Sequence, residues 1–216
     1  MVVAGTTAYL ALERNFGAVT GDSIVAVSTA GSDGGRAVAT VLTSEAALMG
    51  VVTSGDIAIR DLGVLRGTGG RIDRLVAVNS ATRDANDDIL AIDLVTGNAS
   101  VLVAATDIEA DLGVSDIGPS AMAIDPGGTI YLINEFGTGA ADNGIIAVAN
   151  PGGGVGTATL LASQQRIVSA PTVRNIPGQR IQQLEFIGGN SLAAPRLGEI
   201  FFSEGMTDGV IRIRQP

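Results

Sequence analysis

The chain of 216 residues has no cysteine, no histidine and no tryptophan, and its aromatic content is 2 tyrosines and 5 phenylalanines. Without cysteine there is no disulfide, no thiolate nucleophile and no cysteine-ligated zinc. Without histidine the usual imidazole base and the commonest transition-metal ligand are gone as well. Basic residues are also scarce, 13 Lys plus Arg against 22 Asp plus Glu for a formal charge of -9, and no basic cluster opposes that field. The net charge argues against a nucleic-acid partner. No apolar run approaches the roughly 20 residues needed to cross a bilayer, so no membrane span is expected and a soluble protein is. The opening MVVAGTTAYLAL lacks the basic first segment and full apolar stretch of a secretory signal. Two readings stay open: a chain that stays inside the cell, or one whose leader was removed, which would place it outside the cell or in the periplasm. The missing cysteines do not decide between them.

What the chain does have is repetition. At 46% hydrophobic residues it can fill one substantial core or several small sheets, and residues 1–216 are read as one domain. Four times, an acidic residue or Asn precedes a short polar loop and then an apolar strand. The versions are Glu13 before SIVAVS (23–28), Asn79 before DILAID (88–93), Glu135 before GIIAVA (144–149) and Glu204 before GVIRIR (209–214). Internal similarity of this kind argues for repeated sheet units.

The clearest unit predicts four antiparallel strands, a to d, at 120–125, 129–134, 144–149 and 157–162, separated by Gly, Pro and Asp turns. A second set is predicted at 56–60, 74–79, 89–93 and 99–104. A b-c-d set lies at 9–12, 24–27 and 39–42, and an a-b-c set at 183–187, 200–203 and 210–214. The c strands start 65 residues apart (Ile24 to Ile89), then 56 (Ile89 to Ile145), then 65 (Ile145 to Val210). That spacing suits four-stranded propeller blades with long loops. The expected fold is therefore all-β: a propeller-like array of about four antiparallel units, with two incomplete end sets. A fragment, a partial ring completed by a protein partner or a second copy, a small irregular ring and an open sheet assembly all remain readings of that incompleteness. Short helical turns are expected after each d strand, at Ser44–Met49, Thr106–Leu112 and Gln164–Val168.

Glu13, Asn79, Glu135 and Glu204 stand at the exits of the b strands. In a radial arrangement they would share one face, where oxygen ligands could hold a hard cation, calcium first among them. Asp84, Asp87, Asp88, Asp142, Asn143 and Asp208 crowd the loops that follow. The plainer reading is that polar residues at strand ends terminate ladders and cap loops. Paired carboxylates could also serve as acid and base, or a bound cation could polarise an ester. The glycine-rich strings at 67–70 and 152–156 lack the continuation of a phosphate loop and read as turns. Asn98-Ala-Ser fits a glycosylation tripeptide. Arg174, Arg180 and Arg196 fall in a long connection, Val173 to Leu197, that would suit a lid or partner surface. Tyr9, Tyr131, Phe201 and Phe202 read as core.

The segment SAMAIDPGGTIYLIN (120–134) followed by NGIIAV (143–148) resembles the blade signature of NHL-repeat and gluconolactonase-like propellers. YLALERNF (9–16) is similar to a strand of the esterase-like domain related to phytases. The resemblance implies a propeller. For the gluconolactonase-like branch it also implies a central divalent cation held by Glu, Asp and Asn side chains, with hydrolysis of lactones or related esters. For NHL-type relatives it implies a non-enzymatic scaffold that binds proteins or other partners. The function expected is a ligand- or protein-binding or assembly module, with divalent-cation-dependent ester or lactone hydrolysis as the alternative.

Overall fold

Runs of Val, Ile, Leu, Ala and Thr bounded by Gly, Pro and Asp turns favour the pleated, half-buried conformation over helix, and strands dominate the fold. The computed structural model describes residues 1–12, 19, 21–28, 37–52, 56–67, 72–81, 87–149, 151, 157–165, 181–187, 199–204 and 209–214. At 73, 136 and 157 and throughout the last three segments, only the backbone is described. Contacts divide the chain into two compact units, Met1–Ala104 and Ala105–Pro216.

The first unit holds two four-stranded antiparallel sheets. One is built in chain order from β1 (Val2–Ala4), β2 (Thr7–Ala11), β3 (Ile24–Ser28) and β4 (Val38–Thr43). The other runs β5 (Ile59–Arg66), β6 (Ile72–Asn79), β7 (Ile89–Asp93) and β8 (Ala99–Val103). Between the sheets lies α1 (Glu45–Met49), which Ser44 caps by accepting the Ala47 N–H on its side chain. The sheets pack through Tyr9, Ile24, Leu48, Ile59, Leu62, Leu75, Leu90 and Ile92, and β5 lies against β1 and β2. In β6 and β7 the faces do not alternate apolar and polar. Leu75 to Val78 and Ile89 to Ile92 are buried throughout, so both faces of the sheet are covered.

The second unit opens with α2 (Ala105–Leu112), which ends where Val114 N–H bonds back to the Glu109 carbonyl and Gly113 N–H to that of Ala110. A four-stranded sheet follows, made of β9 (Ile117–Ile124), β10 (Ile130–Gly137), β11 (Gly144–Ala149) and β12 (Thr157–Ala162). The fourth sheet has three strands among the described residues, β13 (Ile181–Ile187), β14 (Glu199–Glu204) and β15 (Gly209–Arg214). Here β13 lies against β9 and β10, the same arrangement as β5 against β1 and β2.

The fold is all-β, with three four-stranded antiparallel sheets and one of three strands, and no described sheet closes on itself. Two expectations need correction. The first set is not b-c-d: Val2, Val3 and Ala4 pair with Tyr9, Ala8 and Thr7, which supplies the missing a strand and leaves, among the described residues, one incomplete set where two were expected. The a strand of the second sheet starts at Ile59, not Asp56, because the Asn79 side chain takes the Ala58 N–H before the ladder begins. The turns after the d strands appear as α1 and α2. Beyond Gln165 the third expected turn lies outside the described residues, as do the connections 166–180 and 188–198 that contain Arg174, Arg180 and Arg196.

Candidate functional site

The exits of the b strands, where an oxygen-rich centre was expected, are described in the second and third sheets. At the end of β6, Asn79 is fully buried. Its Oδ1 accepts the Ala58 N–H at 2.8 Å, and its backbone N–H donates to the Asp88 carbonyl at 3.1 Å. At the end of β10, Asn134 is also fully buried. Its Oδ1 accepts the Gly118 N–H at 2.7 Å and its Nδ2 donates to the Ala141 carbonyl at 2.8 Å.

These two asparagines are the same device. Each stands opposite an a-strand residue, Ile59 or Pro119, and takes the N–H of the residue just before it. Each also faces the start of the c strand, Asp88 or Gly144. The amide suits the place because it offers an acceptor and donors with no charge to desolvate. It pins the a strand and, in the third sheet, the b-to-c loop to the end of the b strand.

The ladder therefore sets an equivalence that equal spacing hides. Counting nine residues back from the c strand gives Asn79 in one repeat and Glu135 in the other, but the third loop is one residue longer and Asn134 is the true counterpart. Glu135 is the next residue along, half-buried and engaged within the chain. A one-residue step moves a side chain to the opposite face of a strand. Glu204 ends β14 opposite Gly209, which makes it the backbone counterpart of Asn79 and Asn134; its side chain is outside the described residues. In the first sheet the equivalent place, whose N–H reaches the Ser23 carbonyl, is Leu12. Glu13 is outside the described residues.

Three of the loop residues, with Asp22, form a second repeated position. Asp22, Asp87, Asn143 and Asp208 each stand two residues before the first apolar residue of a c strand, Ile24, Ile89, Ile145 or Val210. Asp22 and Asn143 adopt left-handed backbone, φ 54° and 49°, which Asp and Asn tolerate better than other non-glycine residues. Aligning the four c strands without gaps would have shown this column. Burial pushes the Asp22 carboxyl above its ordinary value, opposed by a hydrogen bond from the Ile59 backbone. Asp87 and Asp88 are buried and engaged within the chain. The Asn143 Oδ1 is buried with no hydrogen-bond partner among the described residues.

Among the described residues, no group of three or more carboxylates is placed to hold a metal ion, and no helix is long and apolar enough to cross a membrane. Asp84 and Asp208 lie outside the described residues. Tyr9 and Tyr131 are core residues, and Tyr131 donates to Asp125. Asn98 is exposed in the turn before β8.

The outer strands differ in how they are covered. Ala158 N–H of β12 donates to the Asp111 carboxylate of α2 at 2.7 Å, so a helix sits on that edge, and α1 touches β8. No described helix covers β4, where Val38 to Val41 are all exposed, Val38 at 49% and Val41 at 47%. A scan against protein-family models matched none, and a search of curated proteins found no relative.

Proposed function

We infer that the chain is a non-enzymatic binding or assembly module on a propeller-like array of sheets, in the manner of NHL-type scaffolds, and that it engages a protein partner or a second copy through outer strand β4. The reading rests on one observation, the edge of β4 from Val38 to Val41, uncovered among the described residues. Natural sheets blunt an open edge with charge, proline, a bulge or a covering helix, because its unpaired N–H and C=O groups template further pairing. β4 has no charge, no proline and no described helix, and its only register irregularity lies near its buried end, where Leu42 is skipped between Val41 and Thr43. An uncharged, β-branched edge suits strand addition by a partner.

Cation-dependent ester or lactone hydrolysis is the second reading, favoured by the burial of Asp87 and Asp88 beside Asn79. Sedimentation of the chain over a concentration series, beside Val41→Lys, separates the two. Association weakened by the lysine, with unchanged folding stability, supports assembly through β4. A chain that stays monomeric and hydrolyses lactones only with added calcium makes the second reading the right one.

A further inference from the structure

The open run of β4 has defined limits. Ala37 to Val41 are all exposed. The far end of the strand is already taken: Thr43 Oγ1 donates to the Gly97 carbonyl at 2.8 Å, and a Cβ added at Gly97 would stand 2.0 Å from the Leu42 carbonyl oxygen. The third sheet shows which amides of such a strand point outward. Ala158 stands opposite Val148 and sends its N–H away from β11, to the Asp111 carboxylate. Ala39 stands opposite Val27 at the same place in its ladder, and both ladders skip one residue near the end, Leu42 in one and Leu161 in the other. By that equivalence the N–H groups of Ala39 and Val41 face the open side, since outward amides recur at every second residue of an antiparallel strand.

Charge narrows what can pair there. The sequence from Ala37 to Ser44 contains none of the 22 acidic or 13 basic residues, so the strand offers nothing for a partner of opposite sign to read. A contact between two copies has the reverse requirement. A two-fold axis doubles every charge on the strand and brings like charges together near the axis, which is unfavourable, and each copy already carries -9. A charge-free strand meets that requirement. The large apolar side chains exposed among the described residues, Val38 and Val41 with them, also all lie in the first unit.

We propose that β4 pairs with β4 of a second copy, antiparallel about a two-fold axis at Ala39, so that the two first sheets join into one. That axis maps the open run onto itself. Ala39 faces Ala39 of the second copy as a hydrogen-bonded pair, Val38 faces Thr40, and Ala37 faces Val41. No charge is opposed, and the β-branched pair of Val38 with Thr40 occurs twice, once on each side of the axis. The proposal rests on the reading of the chain as an assembly module that acts through β4, and it names the occupant of that edge and the register.

The chain has no cysteine, so a single introduced thiol can form a disulfide only with a second copy. Residues of a hydrogen-bonded pair have Cα atoms about 5.5 Å apart, within disulfide reach. Ala37 and Val41 would each lie about 14 Å from their own counterparts, four residues along the strand. Diamide oxidation of the full chain should therefore give a covalent dimer with Ala39→Cys and none with Ala37→Cys or Val41→Cys. By sedimentation, Ala39→Asp and Ala39→Lys should each associate less than the parent, and their mixture about 2- to 30-fold more tightly than either alone. If a charged variant fails to fold, the cysteine series decides. A parent chain that stays monomeric throughout the concentration series overturns the proposal and leaves the assembly reading to a different protein. Failure of Ala39→Cys to cross-link ahead of the other two overturns it, and so does a mixture no tighter than its components. If Val41→Lys still weakens association in those two cases, β4 is an interface in another register and the assembly reading survives. If Val41→Lys leaves an associating parent unchanged, the assembly reading fails together with the proposal.

Discussion

Replacing Gly97 with alanine should destabilise the first unit by about 2–5 kcal/mol. Gly97 closes the turn between β7 and β8 with φ at 71°, and a Cβ built there would stand 2.0 Å from the Leu42 carbonyl oxygen of β4. Two costs add. Left-handed backbone costs a residue with a Cβ about 1–2 kcal/mol. The clash is with backbone, not with the end of a flexible side chain, so β4 or the turn must move, at about 1–3 kcal/mol. Movement also strains the buried bond from Thr43 Oγ1 to the Gly97 carbonyl, 2.8 Å long. The control is Gly5→Ala, at φ 62° with nothing within 4 Å of the added Cβ, which should show the backbone cost alone. The chain has no tryptophan and 2 tyrosines, Tyr9 in the first unit and Tyr131 in the second, so Tyr131→Phe leaves a single reporter on the first. Urea unfolding followed by Tyr9 fluorescence gives the difference, provided the m-value is unchanged. A Gly97→Ala cost no greater than that of Gly5→Ala would refute the close-approach argument.

Asn134→Ala removes the partners of the Gly118 N–H and the Ala141 carbonyl, both at a buried site, and should cost about 2–4 kcal/mol by unfolding followed at Tyr131 in a Tyr9→Phe background. Asn134→Asp keeps the acceptor but turns an oxygen towards the Ala141 carbonyl, and its deficit should grow as the pH rises through the carboxylate range. The Asp93 carboxylate accepts from the Thr96 N–H and hydroxyl and from the Val95 N–H, and these bonds hold its titration below the ordinary value. Its contribution is present above the unfolded-state value near 3.8 and is lost as the pH falls through the lower folded value. Asp93→Asn should therefore flatten the acid limb of the stability curve. Asp22 has the opposite sign. Its carboxyl is raised by burial, so it disfavours folding increasingly as the pH rises from the unfolded value through the folded one. Asp22→Asn, which tolerates the same backbone, should be at least as stable as the parent at pH 7 in the same assay.

The c strands were legible because the runs at 24–28, 89–93, 144–149 and 209–214 combine β-branched residues with turn chemistry on both sides, and burial then only had to select their faces. Val2–Ala4 was not legible: three residues carry no period, and they form a strand only because Thr7–Tyr9 fold back on them. Asp56-Ile-Ala-Ile-Arg60 alternates as a strand should, yet the ladder starts at Ile59, because a side chain 21 residues away takes the Ala58 N–H. The exits of the b strands were visible as polar positions. Which residue of each pair counts was not, because the hydrogen-bonding ladder and not the loop length fixes the equivalence of Asn79 with Asn134.

Sequence alone determined the all-β class, the order of the strands from Thr7 onward and the exclusion of thiol and imidazole chemistry, since these follow from composition and local period. Tertiary structure decided which polar residues are consumed in holding the sheets and which outer strands are covered. A buried N–H finds its partner across the fold, and whether an edge is free depends on what packs against it, neither of which is written in local sequence.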